Sequence, residues 1–175
     1  MHNSFRCNYS NDLEAAVNEQ IKREKQAAEA YLILAVKFLH PSVAYMGTGG
    51  FFMKMYEEEL GHLKQLVNYQ LMRGGTPILN CQTDTKVTTL YSAYNEALNM
   101  EMEITKQLQE VVCVAETNRD NQCADYVCSK FLEEQMHTIN ELAQHVTTLS
   151  RLGNDEHAMY HFDKQMAKLY QYSLK

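Results

Sequence analysis

Four polar side chains lie where helical stripes should bury only apolar ones. On a 100° wheel, Val17, Ile21, Ala28, Tyr31, Ala35 and Phe38 share one face, and Glu24 sits in its middle. Phe52, Met55, Leu63 and Leu66 flank Glu59, with His62 one turn further on the same face. Leu90, Tyr94, Ala97, Leu98, Ile104, Leu108 and Val112 surround Glu101. Cys128, Phe131, Leu132, Ile139, Leu142, Val146 and Leu149 surround Gln135. One such Glu alone reads equally well as a slightly rotated helix whose carboxylate reaches water. Four near the middles of four helices arrive at one level of a bundle. Burying three carboxylates costs several kcal/mol each unless something compensates, and no Lys or Arg lies beside them in the stripes. A bound cation is the remaining compensator. Carboxylate oxygens with one imidazole suit iron, zinc or manganese. Glu59 and His62, three residues apart, can address one ion. Glu134 and His137 repeat that spacing but fall about 100° and 160° from the stripe centre, so they read as surface.

The elements that must position these groups follow from the breakers. Helical periodicity runs from Asn11-Asp12 to about Leu39 and stops at His40-Pro41-Ser42. A second helix runs from Met46–Gly49 to Arg73 and stops at Gly74-Gly75. A third covers about 89–117, a fourth about 122–152, and a short fifth about 156–172. Each long helix spans ~40 Å. Residues 76–88 have no clear period, and about 13 extended residues reach roughly 43–47 Å, enough to cross such a bundle end to end. The expectation is an all-α single domain: an arm over 1–10, a four-helix bundle over 11–152 with a long crossover between helices 2 and 3, and a fifth helix.

Composition agrees. In 175 residues there are only seven Gly and two Pro, too few for the turns of a β-rich domain. Sixteen Lys and Arg against twenty-two Asp and Glu leave a charge of −6, which disfavours a nucleic-acid partner. No apolar run is long enough for a membrane span. The polar stretch Met1 to Asp12 carries no apolar core of a signal peptide, so a cytoplasmic location is expected. The five cysteines, an odd number without Cys-x-x-Cys spacing, are read as reduced thiols. A cytokine-like bundle would need export and has no reason to bury carboxylates.

Several segments resemble an animal ferritin subunit in order and spacing. They are Asn8-Tyr9 with Glu14 to Ile21, Glu57-Glu58-Glu59 with His62, Arg73-Gly74-Gly75, Leu132-Glu133-Glu134-Gln135, His145-Val146-Thr147-Thr148-Leu149 and Phe162-Asp163-Lys164. The resemblance is to the heavy-chain type and covers nearly the whole chain. It implies a ferroxidase centre of Glu24, Glu59, His62, Glu101 and Gln135, with Tyr31 and Glu58 beside it. Two Fe(II) ions would bind, Glu59 bridging, Glu24 and His62 on one ion and Glu101 on the other. Gln135 would hydrogen-bond from outside. Zinc or other divalent metals would be substitutes. Dioxygen would take the electrons, and Fe(III) would be stored in a hollow shell of 24 subunits, homopolymeric or mixed with other ferritin chains.

The chain departs from that pattern in places. Gly61 and Lys64 stand where inner-surface acidic residues usually help nucleate mineral, which leaves a mainly structural subunit of a mixed cage as the alternative. At the three-fold pore the resemblance implies two acidic residues as metal sites; here they are Asp125 and Cys128. Gly47-Thr48-Gly49-Gly50 predicts a loose or displaced start of the second helix. His157, His161 and Gln165 form one flank of the fifth helix, solvated or a ring of metal-binding imidazoles.

Overall fold

The computed structural model describes residue 6, residues 8–79 and residues 87–172, and among them all regular structure is helical. Helix α1, Asn11–Leu39, begins where the Ser10 hydroxyl accepts the Leu13 N–H, and ends two residues before Pro41. Helix α2, Met46–Met72, ends in a Schellman turn: Gly74 takes φ +77°, and the N–H groups of Gly74 and Gly75 reach the carbonyls of Leu71 and Gln70. Helix α3, Leu90–Thr117, starts in a Thr89/Ser92 capping box. Helix α4, Asn121–Val127, a π-helical turn, Cys128–Leu132, and α5, Glu133–Leu152, together make the fourth long element. Helix α6, Glu156–Leu169, is capped by Asp155 and ends three residues earlier than its periodicity predicts. No described helix is long and apolar enough to cross a membrane.

The crossover can be traced through its hydrogen bonds to α1. Asn18 bonds the backbone of Thr76 and Ile78, Lys25 bonds the Leu79 carbonyl, and Lys37 bonds the Val87 carbonyl. From Asn18 to Lys37 is ~28 Å of helix. The connection therefore climbs α1 from one end of the bundle towards the other. Helix α3 then starts beside the C-terminal end of α1 and runs parallel to α2, as the loop length predicts. Helix α1 packs against both α2 and α3, and α3 packs against the fourth element. At the end where α2 stops, Arg73 pairs with buried Asp120, the N-cap of α4, and lies over the Tyr9 ring.

Two expectations are corrected. The start of α2 is not loose. Gly47, Thr48, Gly49 and Gly50 are all buried, and the helix is regular from Met46. A Cβ on Gly47 would stand 2.1 Å from the Asp163 carbonyl oxygen and 2.3 Å from the Ala167 nitrogen; on Gly50 it would stand 2.5 Å from the Tyr170 carbonyl oxygen. The glycines let the backbones of α2 and α6 touch. The Asp163 carboxylate then accepts the N–H groups of Gly47 and Thr48 at 3.2 and 2.7 Å, capping α2 from another helix. That tertiary cap outweighs poor local propensity.

The fourth element is not a continuous α-helix, and Cys128 does not belong to its buried stripe. Cys123, Val127, Phe131 and Gln135 are buried at a spacing of four, while Cys128 is exposed. Four residues of α-helix overshoot a full turn by ~40°, which would carry such a row off the core. The wider π turn removes the overshoot and keeps Gln135 inward.

Candidate metal centre

Glu24 and Tyr31 come from α1, Glu59 and His62 from α2, Glu101 from α3, and Gln135 and Glu134 from the first turn of α5. Glu24, Tyr31 and Glu101 are fully buried, and Glu59, His62 and Gln135 nearly so. The helix midpoints coincide, as the stripes predict. Ligand atoms of Glu24, Glu59 and His62 lie within 4.8 Å of one another, so small side-chain rotations close them on one cation ~2.1 Å from each. His62 Nδ1 faces Glu59 Oε2 at 3.3 Å and Glu24 Oε2 at 3.8 Å. Glu101 sits slightly apart. The Tyr31 hydroxyl donates to its Oε1, and Gln135 Nε2 donates to its Oε2 at 2.8 Å.

One atom stands open to a ligand when the carboxylates are ionised, and a proton shared between the Glu24 and Glu59 carboxyls is the alternative to a cation. Glu24 Oε1 accepts a 2.6 Å bond from Gln20 Nε2, but Glu24 Oε2 is buried without a hydrogen-bond partner. Such an atom costs about 1–3 kcal/mol, more when charged. Electrostatics agree. Burial, reinforced by the Glu59 charge, pushes the Glu24 carboxyl well above the ordinary range. Burial and Glu101 do the same to Glu59. Glu101 rises to about 7, because burial outweighs the hydrogen bonds from Tyr31 and Gln135. Burial and the Glu101 charge also raise the Tyr31 hydroxyl. A divalent cation would reverse each carboxylate effect at once.

A pH dependence follows for the metal-free protein. Between the ordinary glutamate value of 4.5 and about 7, the folded chain keeps on Glu101 a proton that the unfolded chain has released. Stability therefore falls as pH rises through that window, with the neighbouring Glu24 and Glu59 carboxyls titrating together with Glu101. Glu101→Gln is expected to flatten the fall. Urea midpoints of parent and variant at pH 5 and pH 7.5, with chelator present, measure it. Equal pH slopes in the two proteins would contradict the burial argument.

Two participants escape the stripe reading. Gln20 is fully buried and orients Glu24. It lies only ~40° from Glu24 on the wheel, so its signal was present. Glu134, read as surface, is indeed half exposed, yet its Oε2 meets His62 Nε2 at 3.2 Å. It holds the imidazole so that Nδ1 faces the carboxylates. His137 stays exposed, as read. Of the remaining expected site residues, Glu58 is part-buried beside the cluster and pairs with Lys54 at 2.9 Å. Asp125 and Cys128 are exposed and outside the cluster. Cys113, Cys123 and Cys128 are free thiols; Cys7 and Cys81 lie outside the described residues.

Comparison with known proteins gives the same direction. The family model for the ferritin-like domain matches residues 14–152. Ferritin-1 heavy chain of Schistosoma mansoni is 34% identical over 163 residues, covering 91% of this chain and 94% of that relative. The chloroplastic ferritin-3 of Vigna unguiculata and ferritin-2 of Glycine max are each 37% identical over 169 residues, covering 92% of this chain. The chain spans 65% of the length of each of these two plant proteins. With a match over most of its length and a buried acidic cluster within the matched region, the chain belongs to the ferritin family.

Proposed function

We propose that the chain is an iron-storage subunit that oxidises Fe(II) with dioxygen at the buried cluster. The observation that carries this reading is the unpartnered Glu24 Oε2, enclosed with Glu59 and His62. Iron is the substrate. Glu24 and His62 hold one Fe(II), Glu101 holds a second, and Glu59 lies between the two. Hard carboxylate oxygens favour Fe(III) over Fe(II), which supplies driving force. Two Fe(II) give one electron each to one dioxygen, which takes up two protons and leaves as hydrogen peroxide. Tyr31 and Gln135 keep both Glu101 oxygens oriented, and Glu134 keeps His62 in one tautomer. The Fe(III) product passes to a store inside a shell of about 24 subunits, in the cytoplasm, where thiols remain reduced. Zinc would occupy the same donors and inhibit without turning over.

Oxygen uptake on adding Fe(II), with the particle mass measured alongside, tests this. Prompt uptake by a large assembly is expected; no uptake above the protein-free rate would overturn it. A second reading, a mainly structural subunit in a mixed cage, is favoured by Gly61, which has open space where a side chain would stand, and by Lys64. It predicts an assembly with slow uptake and poor mineral growth.

Delivery of iron should depend on Asp125 and Cys128, the exposed pair assigned to the three-fold pore. Pores concentrate cations through their potential, and a thiol contributes less negative charge than the carboxylate it stands for. Cys128→Glu is expected to speed oxidation at limiting Fe(II) by about 2–5-fold at low salt, and Asp125→Ala to slow it, both effects shrinking as salt rises. Stopped-flow traces at two ionic strengths check this; equal rates in all three proteins would rule out delivery by this route as limiting.

A further inference from the structure

The buried cluster has two unlike sides. Towards α2 and α5 it is polar: His62 Nε2 meets the half-exposed Glu134, and Glu58 pairs with Lys54 nearby. Towards the seam between α1 and α3 it is apolar. A groove of about 330 Å³ opens there, with Ala27, Ala30, Met100 and Ile104 along its floor. The exposed Arg23 and Glu103 stand on its rim. Ala27 lies one turn from Glu24, Ala30 precedes Tyr31, and Met100 precedes Glu101. Floor and cluster therefore share the same turns of the same two helices. The hydrogen bond from Tyr31 to Glu101 crosses from α1 to α3 at that level. Ala27, Ala30 and Ile104 are buried, and Glu24, Tyr31 and Glu101 fully so. On the α1 half, the wall between groove and cluster consists of alanine methyls.

The two reactants of the proposed oxidation need different routes. Fe(II) is doubly charged and hydrated, so an apolar wall excludes it. Dioxygen is small and apolar, and it gains by leaving water for an apolar surface. An apolar cavity of about 150 Å³ suffices to hold benzene or xenon, so the space here is ample for dioxygen. Packed interiors open only by side-chain motion. A wall of methyl groups beside one flexible methionine needs the smallest such motion.

We propose that the α1–α3 groove binds dioxygen and passes it between Ala27, Ala30 and Met100 to the buried cluster, which rests on the proposed Fe(II) oxidation and gives the route of its second substrate. Crystals of the parent pressurised with xenon test the binding without turnover. An anomalous xenon peak within ~4.5 Å of the Ala30 and Met100 side chains is expected. A groove without xenon would overturn the proposal even if the protein oxidises iron. Oxidation rates at varied dioxygen and saturating Fe(II) test the route. Ala30→Leu, which fills the groove, is expected to raise the KM for dioxygen about threefold or more, and Met100→Ala, which widens it, to lower that KM. The dependence on Fe(II) should stay unchanged in both. Thermal unfolding verifies the fold, and Met100→Ala carries the test alone where Ala30→Leu unfolds. An unchanged dioxygen KM in the folded variants, or a changed Fe(II) dependence in its place, would overturn the proposal. A parent that takes up no dioxygen would overturn the oxidation itself and this route with it, even where the xenon peak is present.

Discussion

Replacing Glu24 and His62 together by alanine is expected to slow Fe(II) oxidation about 100-fold or more while leaving the metal-free protein at least as stable as the parent. The rate effect follows from geometry. The two side chains supply the orphaned oxygen Glu24 Oε2 and the nitrogen His62 Nδ1, which face each other at 3.8 Å. Changes in groups that merely support a metal ligand cost 10–100-fold, so loss of two ligands should cost at least as much. The stability effect has the opposite sign because the metal-free cluster is a liability. Burial and mutual repulsion already push the Glu24 and Glu59 carboxyls upward. Removing Glu24 relieves Glu59, and the polar cavity left behind can hold water. Stopped-flow absorbance with two Fe(II) per chain measures the first effect, and thermal unfolding in chelator the second. A variant that oxidises iron as fast as the parent would place the chemistry elsewhere. One that is much less stable would mean that the cluster supports the metal-free fold and is not a liability there.

The largest purely structural effect is expected at Gly47. Alanine there would put a Cβ 2.1 Å from the Asp163 carbonyl oxygen and 2.3 Å from the Ala167 nitrogen, backbone atoms that no side-chain rotation can move aside. Helix α6 must shift away, and the Asp163 carboxylate then loses its bonds to the Gly47 and Thr48 N–H groups. Hydrogen bonds to a charged group are worth about 1.5–3 kcal/mol each, against roughly 1 kcal/mol gained in helix propensity. The net loss should be about 3 kcal/mol, a fall in melting temperature of roughly 6–12 °C for a chain of this size. Gly61→Ala is the internal contrast: it lies in the same helix with nothing within 4 Å of the added atom, and is expected to stabilise by about 0.5–1 kcal/mol. Melting curves of the two variants check the pair. If both shift in the same direction, the close approach of α2 and α6 is not what the glycines serve.

What was legible in the amino-acid sequence was what periodicity carries. Glu24, Glu59, His62, Glu101 and Gln135 stand out because each interrupts an apolar stripe, and one stripe position per turn is enough to place them at one level. The crossover was legible from chain length alone. Tyr31 looked like an ordinary core residue on its stripe; its hydroxyl bond to Glu101 follows from which helices become neighbours. Glu134 lies ~100° from the stripe centre and still meets His62, because a long side chain can reach around a helix edge. The π turn moved Cys128 out of the stripe. At Gly47 to Gly50, local propensity argued for weakness, whereas the missing side chains are what admits the cap from Asp163, more than 100 residues away. Effects set by a distant partner leave little trace in the local pattern.

The most direct test is to locate iron. Crystals of the parent soaked anaerobically in Fe(II) and measured at the iron absorption edge should show two anomalous peaks inside the bundle. One should lie within ~2.5 Å of Glu24, Glu59 and His62 donor atoms, and the other beside Glu59 and Glu101. Peaks confined to surface positions, with the Glu24, Glu59 and Glu101 carboxylates contacting no metal, would contradict the account.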